Sequence, residues 1–311
     1  KITEIILPNT INSIGDYAFE NCSSLRSVTL STSLITIGLA AFKGCASLES
    51  ISIPNSVTHI DTSAFEGCSY LQSVTLSTNL IAIGNSAFKG CASLESISIP
   101  NSVTHIDTSA FEGCSYLQSV TLSTNLIAIG SSAFKGCASL ARITIPNTVT
   151  NIDTSAFEGC SYLQSVTLSN NLNAIGTSAF KGCGSLGSIT IPSSVQYVDD
   201  EAFKNCSSLS VVTVNRRIAN ITNLGVSVFD GCNANLQIVV PTNRIAEYKN
   251  KEYWSSYRNK IMPSEDYTEY EIDCEGNVTE SLSLSKATNE LYKLNVNCSK
   301  SYKINANSSK T

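Results

Sequence analysis

Apolar residues return along this chain at a fixed interval. From Cys68 to Gly90 they stand at Cys68, Leu71, Val74, Leu76, Leu80, Ile83, Ala87 and Phe88, and the same places are refilled every 23 residues. Nine cysteines from Cys22 to Cys206 keep that step without a break, and Cys232 follows after 26. All ten phenylalanines, Phe19 to Phe229, lie three residues before one of these ten cysteines. A unit this short cannot bury its own apolar face; it does so only against copies of itself, and stability becomes a sum over neighbours. The pattern predicts a repeat solenoid.

Within one coil the alternation Val74-x-Leu76, flanked by Ser and Thr, predicts a short strand with one face buried. Leu80 to Phe88 has wider, irregular spacing and a glycine, and reads as the return path around the coil. A period of 46 lies on top. Pro8, Pro54, Pro100, Pro146 and Pro192 close alternate strands, and Ser31, Ser77, Ser123 and Ser169 close the others. Residues 45–90 and 91–136 differ at one position, Asn85 against Ser131. Near-identity at surface positions points to duplication of a two-coil cassette.

The pattern C-x-x-L-x-x-[IV]-x-[IL]-P-x-x-[VL]-x-x-I-[GD]-x-x-AF, running from Ile2 to Pro241, resembles the BspA-like leucine-rich repeat proteins, the TpLRR class. The segment VVPTNRIAEYKNKEYWSSYRNKIMP is similar to the C-terminal cap that ends such arrays in bacterial members. The resemblance implies a right-handed superhelix of 23-residue coils with short parallel strands. It also implies an extracellular or cell-surface protein used for adhesion or partner binding, with no enzymatic activity. The ladder asparagine of common leucine-rich repeats occurs only in some coils, at Asn79, Asn125 and Asn171, which argues against a continuous asparagine ladder.

Three segments are expected: the array at 1–241, a helical cap at 242–263 and a small β-rich tail at 264–311. Lys1 falls at the third position of a coil, so an N-terminal cap and any signal peptide are expected to lie outside this sequence. The tenth coil carries three extra residues, placed near Asn220–Leu224 and expected to bulge as a loop. In the cap, Thr242 or Asn243 can start a helix. Ile245, Tyr248, Trp254, Tyr257 and Ile261 then recur at helical spacing until Pro263. The tail alternates polar and apolar residues around Ile272, Leu282, Leu284, Leu294, Val296, Tyr302 and Ile304, which predicts three or four strands, or the start of a β-sandwich module.

Composition narrows the chemistry. Only 14% of the 311 residues are charged and the net charge is -5, so no run of phosphates can be neutralised and nucleic acid is excluded as a partner. No apolar stretch approaches the roughly 18 residues of a membrane span. The phased cysteines form no C-x-x-C pairs of the kind zinc sites want. Stacked coils lie about 4.8 Å apart, which admits disulfides by distance, but equivalent side chains point in parallel and suit a ladder of buried thiols better. Cys274 and Cys298, outside the array, are free or, in a secreted protein, bridged.

His59 and His105 share a coil position two coils apart, about 10 Å, with Asp61 and Asp107 nearby and Ala82 between; they read as surface residues. The residue after each Phe alternates Glu and Lys from Glu20 to Lys181, then breaks where Lys181 meets Lys204. Neither a cofactor nor a metal site is expected.

Two surfaces remain for a partner. The strand face presents Ser73, Thr75, Ser77 and their equivalents, a hydroxyl array without aromatic residues that suits solubility more than sugar stacking. Two places after the cysteine, Tyr70, Tyr116 and Tyr162 occupy every second coil, with Gln72, Gln118 and Gln164 close by. These tyrosines precede the strand and are expected at its exposed edge, as a contact stripe or as seals over the neighbouring coil. The functional expectations are an adhesion or protein-interaction scaffold for a protein or glycan on a host or microbial surface, or a spacer presenting another module, or a weak glycan-binding protein. The near-identical cassettes favour the spacer, and nothing in the sequence supplies a catalytic constellation.

Overall fold

A computed structural model describes residues 1–215 and 222–264. Each coil gives one strand of three or four residues, such as Ser50–Ser52, Ser73–Thr75 and Ser96–Ser98, where the apolar alternation places it. Ile97 is buried between the exposed Ser96 and Ser98, so the period of two is realised with one face inward. The return path is more regular than its spacing suggests. It carries a second strand of two residues, such as His59–Ile60, Ala82–Ile83 and His105–Ile106. These short strands pair in parallel as one uninterrupted ten-stranded sheet.

Between the strand face and this sheet lie columns of like residues. Rings from Phe42 to Phe203 are fully buried, with centroids 5.3–5.4 Å apart and planes within 5° of parallel. The corner that aims each ring inward uses left-handed backbone twice. Around Phe111 these places are Ser109, at φ 58°, and Gly113, at φ 75°. A side chain at Gly113 would meet nothing closer than 3.8 Å, so the backbone angle, not crowding, is what asks for glycine there.

The ten array cysteines are free thiols, and their role is visible. Cys114 Sγ donates to the Phe88 carbonyl in the preceding coil at 3.2 Å, while that carbonyl also accepts the Cys91 N–H at 3.1 Å. The contact recurs down the array, so the thiol is a small hydrophobe that also fills the second lone pair of a buried carbonyl, which Ala or Val would leave unmet. Burial pushes the Cys45, Cys114 and Cys160 thiols up to about 12. Iodoacetamide at pH 8 should therefore leave the eight buried thiols, Cys45 to Cys206, unmodified in the native protein, because the reactive thiolate is scarce and enclosed. Denaturant without reductant should open all ten array cysteines to labelling; mass spectra showing five array disulfides instead would overturn this account.

The 46-residue period is physical as well as historical, because the coils meet through two alternating kinds of junction. From a proline coil to the serine coil after it, the strands pair over their length: Glu4–Ile6 with Ser27–Thr29, Ser50–Ser52 with Ser73–Thr75, Ser96–Ser98 with Ser119–Thr121, and Arg142–Thr144 with Ser165–Thr167. An asparagine clamp adds to this. Asn55 Oδ1 accepts the Thr78 N–H at 2.9 Å and Asn79 Nδ2 donates to the Asn55 carbonyl at 2.8 Å, with the same pair of bonds at Asn101 and Asn147. The asparagines thus tie coils two by two instead of forming a ladder.

From a serine coil to the next proline coil an ion pair takes the place of the asparagine clamp. Lys43, Lys89 and Lys135 reach Glu66, Glu112 and Glu158 at 3.0, 3.0 and 2.9 Å. Partial burial pulls the Glu66 carboxyl upward, but hydrogen bonds from Ser63 and Lys43 outweigh it and hold the group below its usual range. Lys181 and Lys204, where the alternation breaks, are reconciled by Glu201, which stands where the coils from Ser63 to Ser178 have a serine. Its two oxygens take both ammonium groups at 2.6 Å, and these bonds lower its carboxyl to about 2.

Three local expectations need correction. Ser77, with Ser31, Ser123 and Ser169, is fully buried and not on the exposed face: the strand ends at Thr75, the chain turns inward, and Ser77 Oγ accepts the Asn79 N–H at 3.1 Å. The extra residues of the tenth coil lie earlier than Asn223 and Leu224. Val214 is still 23 residues from its partner Ile191, while Asn223–Leu224 is a strand paired 26 residues on with Tyr197–Val198. The segment after Pro241 is not one helix. Thr242–Arg244 and Trp254–Tyr257 are 3-10 turns around the short helix Ile245–Asn250, Tyr253 has φ 63°, and Ile261–Pro263 is a strand on Gln237–Val240. No side chain caps either of the first two elements, so Thr242 and Asn243 do not play that part.

The segment still covers the end of the core. Trp254 is buried and donates from Nε1 to the Thr222 carbonyl at 2.7 Å, and the Tyr257 ring stands edge-on to Phe229 at 5.4 Å. Lys1–Pro263 is one compact unit. The β-rich expectation for 264–311, including Cys274 and Cys298, lies outside the described residues apart from Ser264.

Candidate interaction surface

The tyrosine stripe can be built from the backbone up. The chain leaves the corner at Cys68, and the Tyr70 N–H donates to the Ala46 carbonyl of the preceding coil at 3.1 Å. That bond fixes the residue just ahead of the strand, with Leu71 directed into the core beside it. Tyr116 and Tyr162 repeat the arrangement through Ala92 and Ala138. The three tyrosines are 63%, 63% and 53% exposed. Tyrosine combines a large apolar face with a hydroxyl at low entropy cost, the combination that binding surfaces favour.

Gln72, Gln118 and Gln164 are exposed at the start of the same strands. Backbone bonds run Gln72 to Glu49 at 2.9 Å, Glu95 to Gln72 at 3.3 Å and Gln118 to Glu95 at 2.9 Å, so Glu49 and Glu95 alternate with the glutamines in one row. Beyond Gln118 the intervening residue is Ala141, and the row loses its carboxylates. The structure therefore places the tyrosines and glutamines on one edge and adds two glutamates to that edge. Residue spacing alone contained the glutamates, since Glu49 and Glu95 share the coil position of Gln72.

On the strand face the hydroxyls of Ser73 and Thr75, Ser96 and Ser98, and Ser119 and Thr121 are exposed. His59 and His105 lie exposed on the second sheet, each sharing a hydrogen bond through Nδ1 with the preceding threonine, at 2.9 and 2.8 Å. Between them the register places Ala82. Beside them Ile35, Ile81 and Ile127 form an apolar row that the sequence reading did not single out, 53%, 45% and 52% exposed. Their signal was present as an apolar residue at a coil position that holds threonine in the intervening coils. Among the described residues no group of three His, Cys, Asp or Glu is poised for a metal, and no helix is long and apolar enough to cross a membrane.

Comparison with known proteins bears on the whole array. The family described as BspA type Leucine rich repeat region matches in six copies, over residues 1–118, 81–210 and 178–305. No curated protein matches the chain. Among solved structures, a leucine-rich repeat protein of Bacteroides ovatus is 25% identical, covering 85% of this chain and 84% of its own, with a TM-score of 0.45. A leucine rich cell surface protein of Faecalibacterium prausnitzii is 28% identical over 77% of this chain and 78% of its own, with a TM-score of 0.44. The T. pallidum Leucine Rich Repeat protein is 31% identical over 59% of this chain and 78% of its own, with a TM-score of 0.44. With the stacked coils and the matched repeats together, the chain belongs to the BspA type leucine-rich repeat family.

Proposed function

We propose that the protein is a non-enzymatic scaffold, secreted or held at the cell surface, that attaches to a protein or glycan on a host or microbial surface through the edge bearing Tyr70, Tyr116 and Tyr162. The observation that carries this reading is the exposure of three equivalent rings at two-coil spacing. Several identical weak contacts at fixed spacing give avidity to a partner that spans them. Family membership supports the scaffold role, and the uncharged polar surface suits a protein that works by contact. The near-identity of residues 45–90 and 91–136 favours a second reading, a spacer that presents another module.

A Tyr70/Tyr116/Tyr162→Ser variant separates the two. Serine already occupies this place at Ser47, Ser93 and Ser139, so the variant should keep the parent's circular dichroism and melting temperature. It should lose attachment to immobilised extracellular-matrix proteins or glycans that the parent retains. Undiminished attachment by the folded variant removes the stripe as the contact site.

A further inference from the structure

We propose that the solenoid opens in two-coil units, parting on its strand face at the boundaries from serine coil to proline coil while the second sheet serves as the hinge. The first observation is the pairing. Among the described residues, Ser27–Thr29 is unpaired with Ser50–Ser52, Ser73–Thr75 with Ser96–Ser98, and Ser165–Thr167 with Ser188–Ile191. At the remaining boundary of this kind in the cassettes, Ser119–Thr121 keeps a single partner pair, Ser119 with Arg142. The short strands of the second sheet stay paired across all of these boundaries.

The second observation is burial. The inward residues of the serine coils next to a parted boundary, Leu30, Leu76 and Leu168, keep 8%, 8% and 6% exposure, against 2% for Ile53, Ile99 and Ile145 in the proline coils; Leu122, at the boundary with a single pair, is 8% exposed as well. The third is a cleft of about 520 Å³ at the first boundary, with Val28, Thr29 and Leu30 on one side and Ser52, Pro54 and Asn55 on the other. At the first boundary the gap in the ladder, the exposure of Leu30 and the cleft coincide.

The boundary of this kind that pairs over several residues has a different serine-coil strand. Val211–Val214 meets Gln237–Val240 at a boundary also closed by a proline, Pro241, yet it pairs over three residues. There the strand reads Val-Val-Thr-Val, β-branched throughout, and Val214 is 1% exposed. The parted strands read Ser-Val-Thr-Leu, as does Ser119–Leu122, which keeps its single pair opposite Arg142. Inside each cassette the full ladder holds the two coils together, and in three of them the asparagine clamp adds to it. Across the boundary the strand side keeps isolated backbone bonds, such as the Glu49 N–H to the Arg26 carbonyl at 3.1 Å and the Glu95 N–H to the Gln72 carbonyl at 3.3 Å, and an exposed Lys–Glu pair adds a weak tie. A long partner would then meet a surface able to bend in two-coil segments.

Single-molecule pulling on the full chain, held at its two ends, tests this. Unfolding should proceed in steps of 46 residues, about 16 nm of extended chain. Steps of 23 residues, about 8 nm, or one all-or-none event for the array, would overturn the proposal. A Ser73→Val/Leu76→Val variant writes the paired strand's sequence into a parted one. It should replace two 46-residue steps by one of about 33 nm. A folded variant with the parent's step lengths would overturn the assignment of the boundary to that strand, and if the variant does not fold, the parent's step length alone decides.

Discussion

Phe111→Ala should lower stability by about 3–5 kcal/mol, the cost of removing a fully buried aromatic side chain with little room for collapse around the gap. The ring is fully buried, and its stacked neighbours Phe88 and Phe134 lie 5.4 and 5.3 Å away. Both are held by their own corners, with Ser86 and Ser132 in left-handed backbone, so neither can move over to fill the space. The loss should appear as a lower and broader thermal transition, because a break in mid-array weakens coupling between the halves of a repeat protein. Ser119→Ala, on the exposed strand face, is the control and should change stability by less than about 0.5 kcal/mol. A Phe111→Ala melt that matches the parent would mean that the ring does not support the core.

Deleting residues 242–263 should have the other large effect. Those residues cover the last ring of the stack, Phe229, with Trp254 at 6.4 Å and Tyr257 at 5.4 Å. They also supply the strand Ile261–Pro263 to the edge of Gln237–Val240. Tyr257 does more than fill space. Its hydroxyl accepts the Phe229 N–H at 3.2 Å and donates to Asp230 Oδ1 at 2.9 Å, meeting a backbone donor that has no further coil to receive it. Without the cap, an apolar end and an open strand edge are exposed together, a combination that templates self-association. Light scattering coupled to size exclusion should show large aggregates where the parent is disperse. A soluble, monomeric truncation would remove the capping role.

The main features of the fold were legible because they repeat. Phe and Cys in constant phase required stacked columns, and Val74-x-Leu76 required a strand with one buried face. The second sheet escaped because two residues per coil, such as Ala82 and Ile83, are too few to carry a period. Ser77 was misplaced by extending the alternation of Val74 and Leu76 beyond Thr75, where the chain has already turned. Glu201 was hidden for a similar reason: it neutralises Lys181 and Lys204 from a coil position that elsewhere holds serine, not from the position of the alternating charges. In the cap, helical spacing was real in the sequence but was interrupted by the left-handed Tyr253. Also out of reach was the alternation of Gly84 with Asp61. A side chain at Gly84 would stand 2.8 Å from the Ile60 carbonyl, a close approach that only stacked backbones reveal.

The tyrosine edge was the better-read part of the surface. A residue that is serine in six coils and tyrosine in three alternate ones has no packing reason to change size, and exposure at Tyr70, Tyr116 and Tyr162 agrees with that. The accompanying Glu49 and Glu95 were overlooked because charge was followed only along the column after phenylalanine.

Attachment is the claim on which the rest depends. Full-length protein and the Tyr70/Tyr116/Tyr162→Ser variant, applied side by side to an array of purified glycans and extracellular-matrix proteins, test it in one measurement. The account predicts that the parent is retained on at least one class of spot and that the variant is lost from those same spots. Retention of both proteins alike, or of neither, would contradict it.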